Sequence, residues 1–249
     1  MSTFIALQKK IKETLLIDFS DLFNNTIYIY KKVWLQGVLY QLINILLGLP
    51  LLFINSEVFN FETIITYGLS LREINNEYLS NTSLSDLALW YLVLFTTILI
   101  STILSFGFFR VLKHMDVKNE FKFSDFFYYL NGDRLGKSML IMLSYFGIAV
   151  VAALLCVLPL FYVMIPLMFV APMFAYNPEL SVSEILKLSF HLGHKKWGIT
   201  FLITILNGIF LYLITIFTFG LGSLFFGCIM QLPIYIIYKK TLGDNSKEV

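Results

Sequence analysis

His191 and His194 stand three residues apart, a spacing that brings both rings onto one helix face, where paired imidazoles could ligate a divalent metal ion. A zinc-type site needs three or four ligands. No cysteine is near the pair, His114 belongs to another segment, and the stripe carrying both rings also carries Lys187 and Lys195. The pair therefore reads as a solvated helix face, and no metal is expected. Asn207 and Gln231 are amides inside apolar runs, where an unpaired amide is costly. They are candidates for a hydrogen-bonded pair across the last hairpin worth roughly 0.5–2 kcal/mol, with the polar lining of a small cavity as the competing role. Cys156 and Cys228 lie in apolar runs and read as small buried side chains. There is no Gly-rich phosphate loop, nucleophile elbow, His-Glu-x-x-His or nucleic-acid module. Asn24-Asn25-Thr26 and Asn81-Thr82-Ser83 match the glycosylation triplet but carry no argument. No catalytic residue, cofactor or nucleic-acid partner is expected.

The elements that would have to position these residues are membrane-embedded. Of the 249 residues, 58% are hydrophobic and only 14% are charged, with mean hydropathy +0.78, more apolar surface than a water-soluble fold of this length can hide. The first thirty residues carry Lys9, Lys10, Lys12, Glu13, Asp18 and Asp21, so they do not form a cleavable secretory signal, and the N-terminus is expected to be retained.

A membrane-crossing helix needs about 20 apolar residues. Charge-free runs of 24 residues (33–56) and 23 residues (87–109) each supply one span. Runs of 41 (138–178) and 42 (197–238) are each long enough for two, with turn signals at Leu158-Pro159 and at Gly220-Leu221-Gly222-Ser223. The expected spans are about 34–54, 88–109, 138–157, 160–177, 198–218 and 222–238, an all-α six-helix integral membrane bundle of three hairpins forming one domain over 1–249. A segment that dips in and returns would leave the same charge pattern, but two full spans fit each long run. Of the 18 basic residues, 17 fall on one side of this topology, and only Arg72 lies on the other, in the acidic loop 55–87. Because Lys and Arg mark the cytoplasmic side, both termini are expected inside and the acidic loop outside.

Phe19-Ser20-Asp21-Leu22-Phe23 recurs as Phe123-Ser124-Asp125-Phe126-Phe127 and, more weakly, as Val182-Ser183-Glu184-Ile185-Leu186. Each copy has apolar residues at i, i+3 and i+4, a serine able to cap and an acid suited to a helix N-terminus. Three cytoplasmic interfacial amphipathic helices, the first within 1–33, are therefore expected, one before each hairpin. The third is the most distinct and allows a capping box from Ser181 to Glu184. Arg134, Lys137, Lys187, His191, His194, Lys195 and Lys196 then form a basic rim suited to anionic lipid headgroups or a partner protein. No Asp, Glu, Lys, Arg or His falls inside an expected span, which disfavours a proton-coupled carrier. Pro159, Pro166 and Pro172 make the fourth span irregular.

The Phe123-to-Lys137 segment, Pro159 and Pro166 in a hairpin, Pro178 through Glu184 leading to Ser189, and Lys196-Trp197 before an apolar run together carry a resemblance. Over about Phe121 to Leu242 the chain resembles poorly characterised bacterial polytopic families, including the membrane domain attached to some glycerophosphodiester phosphodiesterases. No phosphodiesterase domain is present, so the resemblance implies only a helical module of the bacterial cytoplasmic membrane. The expected role is non-enzymatic, organising or assisting lipids or a membrane protein. The alternative is a permease or exporter for an uncharged or amphiphilic solute. A lipid-modifying enzyme, the third possibility, would require His191, His194 and an acid to converge on one pocket.

Overall fold

The computed structural model describes residues 3–14, 16–54, 84–155 and 157–243. Among these, every regular element is helical. In order they are α1 (Thr3–Glu13), α2 (Phe19–Ile54), α3 (Leu84–Val117), a 3-10 helix (Phe123–Leu130), α4 (Gly132–Leu155), α5 (Val157–Met168), α6 (Val170–Tyr176), α7 (Val182–Lys195), α8 (Trp197–Phe217), α9 (Leu221–Phe226), a second 3-10 helix (Gly227–Met230) and α10 (Leu232–Leu242). Six stretches are long and apolar enough to cross a bilayer: Phe19–Leu51, Ala88–Val117, Arg134–Leu155, Pro159–Tyr176, Trp197–Phe217 and Leu221–Leu242. The chain is a multi-pass all-α membrane protein. Most of the acidic loop, Cys156 and the Asn81 triplet lie outside the described residues.

The helices outrun the charge-free stretches. α2 has 36 residues, about 54 Å at 1.5 Å per residue, against about 30 Å of hydrocarbon. It starts early because the Asp18 carboxylate accepts the Asp21 backbone N–H at 3.0 Å, an N-cap about four turns before the charge-free run. The expected first interfacial helix is thus the leading end of a spanning helix, capped by Asp18 instead of Ser20, and α1 is the separate amphipathic element, with Leu7 and Ile11 buried. The second expected helix winds as a 3-10 segment without a side-chain cap. The third forms as expected, with both bonds of the Ser181–Glu184 capping box in place. The fourth expected span, 160–177, breaks at Phe169, whose N–H turns back to the Pro166 carbonyl at 3.2 Å. The sixth, 222–238, is interrupted by the Gly227–Met230 3-10 turn. Between α8 and α9, Gly220 at φ +95° supplies the left-handed residue the tight turn needs.

The residues group into two units, Leu42–Ser101 and Met1–Gln41 with Thr102–Val249. In the smaller, the Ser101 hydroxyl donates to the Asn44 side-chain oxygen, and Thr97 donates to the Leu47 carbonyl at 3.4 Å. In the larger, the core is aromatic. Tyr40 stacks on Phe108 at 4.6 Å, Phe106 meets Phe174 edge-on at 5.2 Å, and Tyr129 lies 4.8 Å from Phe174. Gly107 makes this packing possible, since a Cβ there would sit 2.1 Å from the Phe126 carbonyl oxygen. Leu202, Ile205, Ile209, Leu213 and Ile216 of α8 face outward, as a lipid-bathed helix requires.

Candidate functional site

The sequence's charged residues converge on two buried carboxylates. Asp125, in the 3-10 helix, accepts from Arg110 Nε at 3.0 Å and pairs with His114 Nδ1 at 2.9 Å. Arg110 and His114 are four residues apart on α3 and so share a face. The Arg110 guanidinium also lies 3.7 Å from the Tyr128 ring centre, and that of Arg134 lies 4.0 Å from the same ring. These contacts are cation–π attractions that hold two cations beside one aromatic.

Asp116 is the second centre. It accepts from Tyr235 Oη and Lys239 Nζ, each at 2.5 Å, while Lys32 donates to its backbone carbonyl at 2.9 Å. Tyr235 and Lys239 are again i and i+4, so the Asp116 carboxylate ties α3 to α10 and its backbone carbonyl adds α2. Neighbouring bonds add to this end of the bundle. Tyr176 Oη donates to the Phe109 carbonyl at 2.6 Å, Asn177 Nδ2 to Tyr238 Oη at 2.8 Å, and Tyr129 Oη to the Ala175 carbonyl at 2.9 Å. Burial pushes the Tyr129 hydroxyl far above the ordinary tyrosine range. Lys137 donates to the Pro178 carbonyl.

The cations of α7 have a different setting. The helix buries Ile185, Leu188, Ser189, Leu192 and Gly193, while Lys187, His191, His194 and Lys195 are exposed on its other side. His191 Nδ1 donates to the Lys187 carbonyl at 2.7 Å and His194 Nδ1 to the Phe190 carbonyl at 2.6 Å, so each imidazole is tied to its own helix. Among the described residues, no three His, Cys, Asp or Glu side chains gather as a metal site requires. No carboxylate among the described residues joins the two histidines. The Ser181 hydroxyl and backbone N–H hold the Glu184 carboxyl below the usual carboxylate range. Lys195 donates to the Lys12 carbonyl. Lys196 is buried, and burial followed by the nearby Lys195 charge pushes its ammonium below the ordinary lysine value.

Asn207 and Gln231 are not bonded to each other. Asn207 reaches across the last hairpin to the Ile229 backbone carbonyl at 3.2 Å, and Gln231 Nε2 donates to Tyr40 Oη at 3.1 Å on α2. Each amide nitrogen has thus found another acceptor, while Gln231 Oε1 stays buried with no hydrogen-bond partner among the described residues. Cys228 is buried, and a Cβ on Gly37 would lie 2.3 Å from its sulfur, so it fills a close helix contact. The two carboxylate clusters were missed in the sequence because Asp125 looked like a first-turn acid and Asp116 like a loop residue. The available signal was the i, i+4 pairing of Arg110 with His114 and of Tyr235 with Lys239.

No family model, curated protein or solved structure matches the chain.

Proposed function

We propose that this protein is a non-enzymatic module of the bacterial cytoplasmic membrane, with both termini inside, that organises anionic lipids or assists a protein partner through its basic rim. The observation that carries this reading is the division of labour among the cations. Arg110, Lys32 and Lys239 are spent on internal carboxylates and carbonyls, whereas Lys187, His191 and His194 are presented outward from a helix whose other face is locked into the fold. An outward lysine flanked by two imidazole donors, beside apolar surface, suits phosphate-bearing headgroups. The aromatic core of Tyr40, Phe106, Phe108, Phe126, Tyr129 and Phe174 counts against a wide polar pathway in that part of the bundle.

The test is purification in mild detergent with analysis of retained lipids and proteins, comparing the parent with Lys187→Gln, His191→Gln and Lys195→Gln combined. Loss of anionic lipid, or of a stoichiometric protein, from the triple variant supports the reading. Solute flux or lipid turnover by the pure reconstituted protein, abolished by changing core residues, would overturn it. One feature favours transport of an amphiphile as a second reading. A cleft of about 320 Å³ between α4 and α5 is lined by Gly147, Ile148, Val151, Ala152, Leu155, Pro159 and Val163 and could take an acyl tail. Flux of a tailed solute that Ala152→Phe blocks would favour it.

A further inference from the structure

The charge pattern leaves open whether the third and fourth apolar stretches cross the membrane or turn back within it, and the contacts along α7 discriminate. α7 is 14 residues long, about 21 Å. It follows Asn177, which bonds to Tyr238, one turn from the end of α10, and the Tyr176 ring lies 4.9 Å from that of Tyr238. At its other end Lys195 donates to the Lys12 carbonyl, and Lys10, two residues earlier in α1, donates at 2.8 Å to the carbonyl of Leu242, the last residue of α10. Both ends of α7 therefore sit at the same end of α10. The helix lies across the α10 axis, not along it.

α5 and α6 run antiparallel against α7 over that whole distance. Trp197 Nε1, just past the end of α7, donates to the Tyr162 carbonyl at 3.1 Å, and Gly193 packs against Pro166. α6 also packs against α7. α4 runs antiparallel beside them in turn, with Lys137 near Phe174 and Pro178 at one end and Val151 and Leu155 facing Pro159 and Val163 at the other. Tyr162 and Tyr176 are thus anchored at opposite ends of a helix that itself stays at one level. A crossing over Pro159–Tyr176 would separate these two residues in depth by most of the hydrocarbon layer. It would also carry the exposed Lys187, His191, His194 and Lys195 of the attached α7 into lipid, at about 2.5–3.5 kcal/mol for each central lysine.

We propose that α4 and α5 form a re-entrant hairpin that beds in the lipid leaflet on the basic side and returns without crossing, with α7 as its headgroup-level cover. The layer has the two faces this requires. Leu140, Leu143, Val150, Val151, Leu154, Phe161 and Met164 are exposed and apolar on α4 and α5, and the exposed side chains of α7 are polar, with Lys187 and Lys195 carrying charge. Trp197 and Tyr162, stacked at 6.0 Å, sit at the edge where amphipathic rings favour the membrane boundary. The partner of the apolar face is the acyl-chain layer of one leaflet, so the protein occupies more area in that leaflet than in the other. This deepens the lipid reading given above and rests on its membrane embedding, but the test below is independent of any lipid preference.

The experiment places a nitroxide label at Leu155→Cys, beside the hairpin tip, or at Phe219→Cys, in the exposed α8–α9 turn. Both variants are full-length, carry Cys156→Ala and Cys228→Ala, and are reconstituted in sealed vesicles. An impermeant nickel chelate is added to one side and then to both. Asn119→Cys, at the opposite end of α3 from its start, marks the basic side. Re-entry predicts that Phe219 is relaxed only from the side opposite Asn119, while Leu155 shows no relaxation from that side. Relaxation of Leu155 from the same side as Phe219 would overturn the proposal. A protease site inserted after Leu155 gives the second measurement: re-entry predicts cleavage only from the Asn119 side, and cleavage from the Phe219 side rejects it. Failure of the anionic-lipid test with this topology intact would reject only the lipid-organising reading.

Discussion

Replacing Gly193 by alanine tests the layer of α5 and α7 at its tightest point. A Cβ at Gly193 would lie 2.4 Å from Pro166 Cα, 2.8 Å from its nitrogen and 2.9 Å from its Cβ. The two nearest are backbone atoms of a proline, which cannot rotate away, so the helices must part by roughly 1 Å to restore ordinary carbon contact. Overpacking costs about 1–3 kcal/mol, and a clash with fixed backbone belongs at the upper end. Alanine's better helix propensity returns about 1 kcal/mol, leaving a net loss of roughly 2 kcal/mol. At about 2–4 °C per kcal/mol for a chain of this size, melting in detergent falls by roughly 4–8 °C. Gly208 in α8 is the internal control, because a Cβ there meets nothing within 4 Å. Gly208→Ala removes the glycine penalty without a clash and raises melting by about 2–4 °C. Trp197 supplies a local reading, since its indole bonds to Tyr162 one turn away. With Trp34→Phe and Trp90→Phe in place, its emission shifts to the red when α5 and α7 separate. If Gly193→Ala melts at or above the parent while Gly208→Ala behaves as expected, the close approach of the two helices is wrong.

Asp116→Asn and Lys239→Met, singly and together, measure the coupling that joins α3 to α10; the partly exposed lysine limits it to about 1 kcal/mol in a double-mutant cycle, and zero coupling refutes the ion pair. Ser181→Ala removes the hydroxyl cap of α7 and costs about 1 kcal/mol in detergent melting, so an unchanged melting temperature argues against the cap. The lowered Glu184 value means its contribution is complete above the unfolded carboxylate range and disappears as pH falls through the folded value. Melting from neutral to acid pH therefore contains a loss that Glu184→Gln lacks, and identical acid profiles would contradict it. His191→Ala with His194→Ala leaves the metal content of purified protein unchanged, and a drop in bound zinc by elemental analysis would restore a metal role to the pair.

How far the sequence was legible depends on which physical rule fixes each feature. The apolar helices could be located because a charge costs several kcal/mol in hydrocarbon, so they had to run through the uncharged stretches, although these did not mark their ends. The α7 cap could be read because Ser181 and Glu184 are three residues apart and need no distant partner. The start of α2 at Asp18 was missed since Ser20 offered a cap of the same chemistry two residues later. The burial of Asp125 was hidden by its repeat, which made it look like the capping-box acid Glu184. Asp116 and Lys239 are 123 residues apart, and no local pattern links them. An all-apolar helix such as α8 also shows no periodicity, so its packed face could not be separated from its lipid face before the contacts of Thr200, Ile203 and Asn207 were known.

The placement of charge argues against a proton or ion pathway through these clusters. A relay needs a carboxylate that can change protonation without dismantling the fold. Asp125 is held by Arg110 and His114, and Asp116 by Tyr235 and Lys239, so removing either negative charge would strand a cation beside an aromatic or a buried hydroxyl. Asp116 joins elements far apart in the chain, whereas Asp125 ties the 3-10 helix back onto α3, the element just before it. That is the work of a staple. At Asp116 it fixes α2, α3 and α10 to one another, whereas α5 and α7 meet through the close Gly193–Pro166 approach.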